Sequence, residues 1–180
     1  MRKLSIWAAC AAVSTIAFAG MAVFASAASA AGATHMQGHC DPSDPSCGAN
    51  PVLTGPPPPF VTIPSNCPAF LSTDAWTLDF VGGTSVSHGT SNKNGDWGGG
   101  TTQGPATLTT SDNVVQYTGH LTEWGGGGNN AGGQTEGGFT LTFHGTGDAG
   151  SLSIHVDGHQ STNNAGTPTS NHQNVTVTCS

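Results

Sequence analysis

The chain has 180 residues, of which only 7% are charged, and it contains 27 glycines and 11 prolines. Two of its three basic residues, Arg2 and Lys3, lie at the extreme N-terminus, so little positive charge is left to bind a polyanion. Length and composition indicate one domain and argue against a nucleic-acid-binding protein, a coiled coil or a helical bundle.

Residues 1–30 have the pattern of a secretory signal peptide. After Arg2 and Lys3, residues 4–24 carry no charge and are rich in apolar and small side chains, and Ala-Ser-Ala at 28–30 favours cleavage after Ala30. A retained membrane helix is the alternative, since about twenty apolar residues span a bilayer. A second cleavage motif at 25–27 favours removal. We therefore expect a secreted, extracellular protein with no stable membrane insertion after cleavage.

Residues 31–180 contain one lysine against ten acidic residues, a net charge of −9, and an even number of cysteines. In an exported chain four cysteines predict two disulfides, with three possible pairings. We predict Cys40–Cys47, which are close in sequence, and Cys67–Cys179, which join the two ends of the folded domain. A metal–thiolate site is the alternative, but the sequence has no Cys-x-x-Cys pair.

Residues 31–65 are predicted to be a disordered, proline-rich tail or linker. This segment contains Asp-Pro twice and four consecutive prolines at 56–59, which favour an extended polyproline II spacer. A motif for a proline-binding domain is the alternative. The remaining residues, 66–180, form the predicted folded domain.

From residue 66 onward, apolar and polar side chains alternate, which is the pattern of half-buried β-strands. No segment has a sustained 3.6-residue period, so we predict an all-β antiparallel meander of about seven or eight strands. A small barrel or a sandwich fits this pattern. The side chains that share one face of a predicted strand are Leu78 and Phe80; Tyr117 and Leu121; Phe139, Leu141 and Phe143; Leu152, Ile154 and Val156; and Val175, Val177 and Cys179.

Turns are predicted at Asn94-Gly95, at 111–113, at 125–133 and at 145–150, and the glycine runs 98–100 and 125–128 are expected to be mobile loop tips. Trp97 and Trp124 each directly precede one of these glycine runs. Aromatic rings at loop mouths stack on sugars or close a ligand cavity, so these two tryptophans are candidate ligand-binding residues. The alternative is that they plug the ends of a barrel.

The histidines provide a candidate zinc or copper site at His120, His144 and His155; no other cofactor is indicated. Tetrahedral zinc needs three or four ligands. The predicted registers place His144 opposite Ser151, and both His120 and His155 opposite Thr140, about 10 Å apart across two strand spacings. That distance is too large for one metal unless both side chains lean over Thr140. Solvated histidines on a strand face are the alternative.

The sequence contains no Gly-x-Ser-x-Gly, no His-Glu-x-x-His and no phosphate-binding glycine loop leading into a helix. Glu123 and Glu136 flank the same glycine run, and hairpin pairing places them on opposite faces of the sheet. They therefore cannot face each other as the acid and base of a glycosidase without a bulge. No catalytic residue is predicted.

The leading hypothesis is an exported, disulfide-linked, non-catalytic binding module that binds an extracellular glycan or small-molecule ligand at Trp97 and Trp124. Zinc or copper binding through the three histidines is the first alternative. An uncharacterised hydrolase is the second.

Three stretches of the chain resemble small secreted β-rich proteins of actinomycete bacteria that have no assigned function. They are residues 88–97 (His-Gly-Thr-Ser-Asn-Lys-Asn-Gly-Asp-Trp), residues 117–120 (Tyr-Thr-Gly-His) with Trp124, and residues 142–145 (Thr-Phe-His-Gly). The similarity covers roughly 74–179. It implies an exported bacterial protein and supplies no catalytic residue.

Overall fold

The computed structural model describes residues 33–47, 53–55 and 61–180. The predicted signal peptide, 1–30, and the proline run, 56–59, lie outside the described residues. The elements in chain order are β1 (Thr34–Cys40), a 3₁₀ turn (Pro45–Cys47), β2 (Leu53–Gly55), a short helix α1 (Phe70–Thr73), β3 (Trp76–Phe80), β4 (Thr84–Asn92), β5 (Gly95–Thr110), β6 (Val115–Asn130), β7 (Thr135–Gly147), β8 (Gly150–Thr162) and β9 (Pro168–Cys179).

All nine strands belong to one antiparallel sheet with the order β1-β4-β5-β6-β7-β8-β9, and β3 pairs with β5 and with β2. The predicted all-β antiparallel meander is confirmed, with seven strands from residue 76 onward. The predicted barrel is not closed: among the described residues, β1 and β9 are edges and do not pair with each other.

The sheet branches at β5, and this explains how the molecule departs from a simple barrel. β4 pairs with β5 up to Gln103, and β3 pairs with β5 from Ala106 onward, on the same side of the strand. Pro105 lies between the two pairings. Because proline has no backbone N–H to donate, it fits at a point where one partner strand ends and the next begins.

One face of the curled sheet carries the core. Leu121, Phe143, Ile154 and Val177 lie side by side in register across β6, β7, β8 and β9, and all four are buried. Leu71 of α1 packs into the same cluster. The other buried members of the cluster are Trp76, Leu78, Phe80, Ala106, Leu108, Tyr117, Leu141, Leu152 and Val156. We call this the inner face of the sheet and the opposite one the outer face.

Both predicted cysteine pairings are found. The Cα atoms of Cys40 and Cys47 lie 5.8 Å apart, and those of Cys67 and Cys179 lie 5.2 Å apart. The second pair fixes the segment before α1 to the end of β9, beside a hydrogen bond of 2.6 Å that the Asn66 side-chain amide donates to the Cys179 carbonyl. This link holds α1 over the core.

Two pieces of the predicted tail form strands. β1 pairs along its whole length with β4, and β2 pairs with β3. The alternation of apolar residues did not indicate β1, because its sequence Thr-His-Met-Gln-Gly-His-Cys is mostly polar. Backbone hydrogen bonds to an already formed strand, together with the Cys40–Cys47 link directly after it, hold such an edge strand without an apolar face.

The glycine runs are not loop tips, which corrects a second prediction. Gly98, Gly99 and Gly100 of β5 lie opposite 127, 126 and 125 of β6, within two 16-residue strands. Glycine is disfavoured in strands because it loses the most backbone freedom on folding, but pairing on both sides satisfies the backbone here. The predicted hairpin turn lies one residue earlier than expected, at Lys93-Asn94, and Gly95, which pairs with Asn92, has a φ of 136°.

Among the residues that the structure describes, no helix is long and apolar enough to cross a membrane.

We predict that the two disulfides stabilise the fold unequally. Replacing Cys67 and Cys179 with Ser opens a separation of 112 residues and should lower the free energy of unfolding by about 5 kcal/mol. Replacing Cys40 and Cys47, which are 7 residues apart, should lower it by only about 2 kcal/mol. Urea unfolding of the two double variants measures both values. Equal losses would contradict the loop-length explanation.

Candidate functional site

The outer face of the sheet carries two large aromatic side chains among mostly polar residues. Trp97 on β5 is 47% exposed and Trp124 on β6 is 49% exposed. Both residues point away from the core, because they alternate with inner-face positions such as Glu123 and Gly98. The structure thus brings the two predicted ligand-binding residues to one surface, which is a sheet face rather than a loop mouth.

Between the two tryptophans the outer face consists of glycine. Gly99, Gly126 and Gly138 lie side by side across β5, β6 and β7. We call these three residues the glycine floor. The same row continues with His88 on β4 at one end and with His159 on β8 at the other. The floor is therefore three strands wide, or about 10 Å between its outer glycines.

The tryptophans occupy the rows on either side of the floor. Trp97 lies opposite Gly128, and Trp124 lies four residues before Gly128 on β6. At about 3.4 Å per residue and 4.8 Å per strand, the two Trp Cα atoms are about 14 Å apart. The site is therefore elongated along the strands.

Both indole rings lie over glycine backbone instead of standing away from the sheet. A Cβ added to Gly126 would lie 3.4 Å from Cζ2 of Trp124, and one added to Gly138 would lie 4.0 Å from Cζ3 of the same ring. A Cβ added to Gly128 would lie 2.8 Å from Cε3 of Trp97. The surface is thus flat and aromatic, with two rings set into it.

Of the two floor positions nearest Trp124, Gly138 has room for a Cβ, whereas a Cβ at Gly126 would make a tight contact with the Gly98 carbonyl oxygen. Added Cβ atoms at Gly126 and Gly138 would approach no backbone atom closer than 3.3 and 3.4 Å. At Gly127 and Gly128, by contrast, an added Cβ would lie 2.3 and 2.1 Å from a carbonyl oxygen of the neighbouring strand. Because glycine in a strand is destabilising and an alanine would fit at Gly138, the bare surface at this position points to a function.

Two carboxylates and three histidines border the floor on β7, β8 and β9. The Glu136 Oε1 atom lies 3.1 Å from Nε2 of His159. The carboxylate of Asp157 lies 3.8 Å from Nε2 of His155 and 3.8 Å from Nε2 of His172. All five side chains are at least one-third exposed to solvent. They provide hydrogen-bonding groups beside an otherwise apolar surface.

The predicted metal ligands share the outer face, but in a different register from the one expected. His120 lies directly opposite His144, and His155 lies opposite Thr142. Neither His120 nor His155 is therefore opposite Thr140. The Nδ1 atom of His155 is 2.9 Å from the Thr142 hydroxyl. In the described part of the chain, no group of three or more His, Cys, Asp or Glu side chains is arranged to hold a metal ion.

A shallow cleft of about 340 Å³ opens at the opposite end of β7, β8 and β9. His144, Ser151 and Thr178 are among its lining residues. Its walls contain no Phe, Tyr or Trp side chain, and it is remote from both tryptophans along the strands.

Glu123 and Glu136 lie on opposite faces of the sheet, as the sequence predicts. Glu123 faces inward opposite Thr102, between the core and the glycine-rich half of the sheet. Burial raises the pKa of its carboxyl above the usual value. Within the described ranges no side chain forms a hydrogen bond with this carboxyl. The two glutamates do not form a facing pair for acid–base catalysis.

Sequence patterns indicated the two tryptophans but not the glycine floor, because glycine runs are more typical of loops. A usable signal was present: the runs at 98–100 and 125–128 come into register when β5 and β6 pair antiparallel about the turn at 111–114. Comparison with known proteins found no matching family model, no matching curated protein and no matching solved structure.

We predict opposite effects of alanine at two glycines on neighbouring strands, Gly138 on the outer face and Gly127 on the inner face. Gly138→Ala should raise the free energy of unfolding by roughly 0.5–1 kcal/mol, because alanine loses less backbone entropy and its Cβ fits. Gly127→Ala should lower it by about 1–3 kcal/mol, because its Cβ meets the Glu136 carbonyl oxygen. Thermal and urea unfolding measure both. If Gly138→Ala were also destabilising, the floor would be a backbone requirement.

We further predict that Glu123 destabilises the fold at neutral pH. The pKa of its carboxyl is raised in the folded state, so the folded protein binds the proton more tightly and loses stability as the pH rises above the ordinary glutamate pKa of 4.5. Glu123→Gln should therefore raise the unfolding midpoint at pH 7, and the gain should disappear at pH 4. Glu136→Gln, on the exposed outer face, is the control. A gain that is independent of pH would contradict burial as the cause.

Proposed function

We propose that this protein is a non-catalytic binding module of the extracellular space or cell envelope, and that its outer sheet face binds a carbohydrate. The observation that carries the proposal is the pair of half-exposed indole rings lying over glycine backbone on one sheet face, with Trp124 beside Gly138, where an added Cβ would fit. Trp97, Trp124 and the glycine floor form the binding surface.

The chemistry of this surface suits a sugar ring. A pyranose has an apolar C–H face that packs on an aromatic ring and a rim of hydroxyls that need hydrogen-bond partners. The indoles supply the flat apolar contact. The Thr140 hydroxyl, the His159 imidazole and the carboxylates of Glu136 and Asp157 supply polar partners at the border. Orientation by a few polar groups around an apolar surface is the usual arrangement of a binding site.

The shape favours a chain of linked sugars over a single small ligand. Small-molecule sites usually bury 70–90% or more of the ligand, whereas this face is open on one side. Its two aromatic contacts are about 14 Å apart along the strands. An oligosaccharide laid along β5 and β6 contacts both rings at once, and each ring contributes separately to its affinity.

A second candidate function is weak zinc or copper binding at His120 and His144. Their direct cross-strand pairing favours it, since paired side chains on adjacent strands have Cβ atoms about 5 Å apart. Two imidazoles supply half of a tetrahedral site, so we expect low affinity. Native mass spectrometry of residues 31–180 with zinc and copper, and with His144→Ala, tests this function independently of the carbohydrate.

We predict that Trp97→Ala and Trp124→Ala each weaken oligosaccharide binding about tenfold, corresponding to ~1.4 kcal/mol of lost stacking. A panel of linear oligosaccharides first identifies a binder, and isothermal titration then measures the affinities. Both tryptophans are half-exposed, so the core stays intact and the unfolding midpoint should change little.

Val115→Ala is the matched control, because Val115 is similarly exposed and lies at the far end of β6. Trp97→Phe and Trp124→Phe should retain part of the affinity. The proposal fails if no oligosaccharide in the panel binds, or if binding is unchanged in both Trp→Ala variants.

A further inference from the structure

The carboxylates at the border stand in the same relation to each tryptophan. Trp97 on β5 is followed across the sheet by Gly128 and then by Glu136 on β7. Trp124 on β6 is followed by Thr140 and then by Asp157 on β8. In each case the carboxylate lies two strands from the tryptophan in the same outer-face row, at about 10 Å between Cα atoms. The same unit, one tryptophan with one carboxylate two strands away, therefore occurs twice, and the second copy is shifted by one strand.

Each ring lies over glycine next to side chains of the border. Trp97 covers Gly128, which lies between Trp97 and Glu136. Trp124 reaches across to Gly138 of β7, and a Cβ added there would also lie 3.9 Å from Cδ2 of His159 on β8. Glu136 lies one strand beyond the glycine that Trp97 covers, and Asp157 lies two strands from Trp124 in its own row. Each unit therefore combines one aromatic face with one carboxylate on the same sheet face.

The charge of the chain favours a cationic ligand at these positions. Residues 31–180 contain one lysine, Lys93, and no arginine, so no fixed positive charge balances Glu136 or Asp157 at the border. The side chains nearest to these carboxylates are His155, His159 and His172. A positive group is also attracted to the face of an indole ring.

We infer that the carbohydrate bound at this face carries free amino groups, so that Trp97 with Glu136 and Trp124 with Asp157 each receive one amino sugar. This inference rests on the proposed carbohydrate function and names its substrate class. The apolar face of each sugar lies on the indole, and its ammonium group forms an ion pair with the carboxylate.

The test compares two tetrasaccharides of equal length and linkage, β-linked glucosamine with free amines and its N-acetylated counterpart, by isothermal titration at pH 7.0. The free-amine tetramer should bind at least tenfold more tightly. The double variant Glu136→Gln/Asp157→Asn should remove this preference, because both substitutions keep the side-chain shape and delete the charge. Asp148→Asn, in the exposed β7–β8 turn, removes one negative charge far from the site and should preserve the preference.

The other outcomes separate this inference from the proposed function. Equal affinity for the two tetramers, or a preference that survives Glu136→Gln/Asp157→Asn, overturns the inference and leaves carbohydrate binding intact. Binding of the free-amine tetramer that survives Trp97→Ala/Trp124→Ala shows attraction to the acidic surface in general and also overturns it. If neither tetramer nor any other oligosaccharide binds, both proposals fall.

Discussion

The strand register of β5 to β9 is the constraint on which the outer face depends. Leu121, Phe143, Ile154 and Val177 pack as one buried row on the inner face, and any shift would move at least one of them out of that row. A shift by one residue would turn every side chain to the other face, and a shift by two would separate Gly126 from Gly138. Core packing on one side therefore determines which groups meet on the other.

The two ends of the long strands have different roles. The apolar residues lie near the β5–β6 and β7–β8 turns, beside α1 and the Cys67–Cys179 link. The glycines lie toward the other end, where few side chains are available for packing. Strands rich in glycine are weak by themselves, so their order comes from pairing with neighbours whose registers are fixed in the core. This arrangement allows a bare binding surface to exist on a small domain.

The sequence predicted which face of the sheet many side chains occupy, because successive residues of a strand point to opposite faces whatever the register between strands. Tyr117, Leu121, Phe143 and Ile154 face inward as predicted, and His120, His144 and His155 share the other face. The predicted registers were wrong by even numbers of residues: His144 was expected opposite Ser151 but lies opposite Ser153. The turn there contains only Asp148 and Ala149, because the glycines on both sides belong to the strands. A shift in register by an even number of residues leaves each side chain on the same face of the sheet, but it changes which residues lie opposite each other on neighbouring strands.

The site was predictable only in part for the same reason. Trp97 and Trp124 are conspicuous as exposed aromatic candidates in a polar chain, and their common face follows from parity. The glycine floor and the two carboxylates depend on contacts between β5, β6, β7 and β8, which need the true registers. β1 was missed for another reason: an edge strand held by backbone hydrogen bonds and a disulfide has no apolar pattern to recognise.

The position of Cys179 on the last strand has a consequence for how the domain matures. Its partner, Cys67, precedes every strand from β3 onward, so 112 residues separate the two thiols. A chain that emerges N-terminus first must therefore present Cys67 unpaired until β9 has followed. During that interval Cys40 and Cys47, which precede Cys67 in the chain, are the other thiols with which Cys67 could pair. The correct pairing therefore depends on the Cys40–Cys47 bond forming first, because Cys179 is then the one partner left for Cys67.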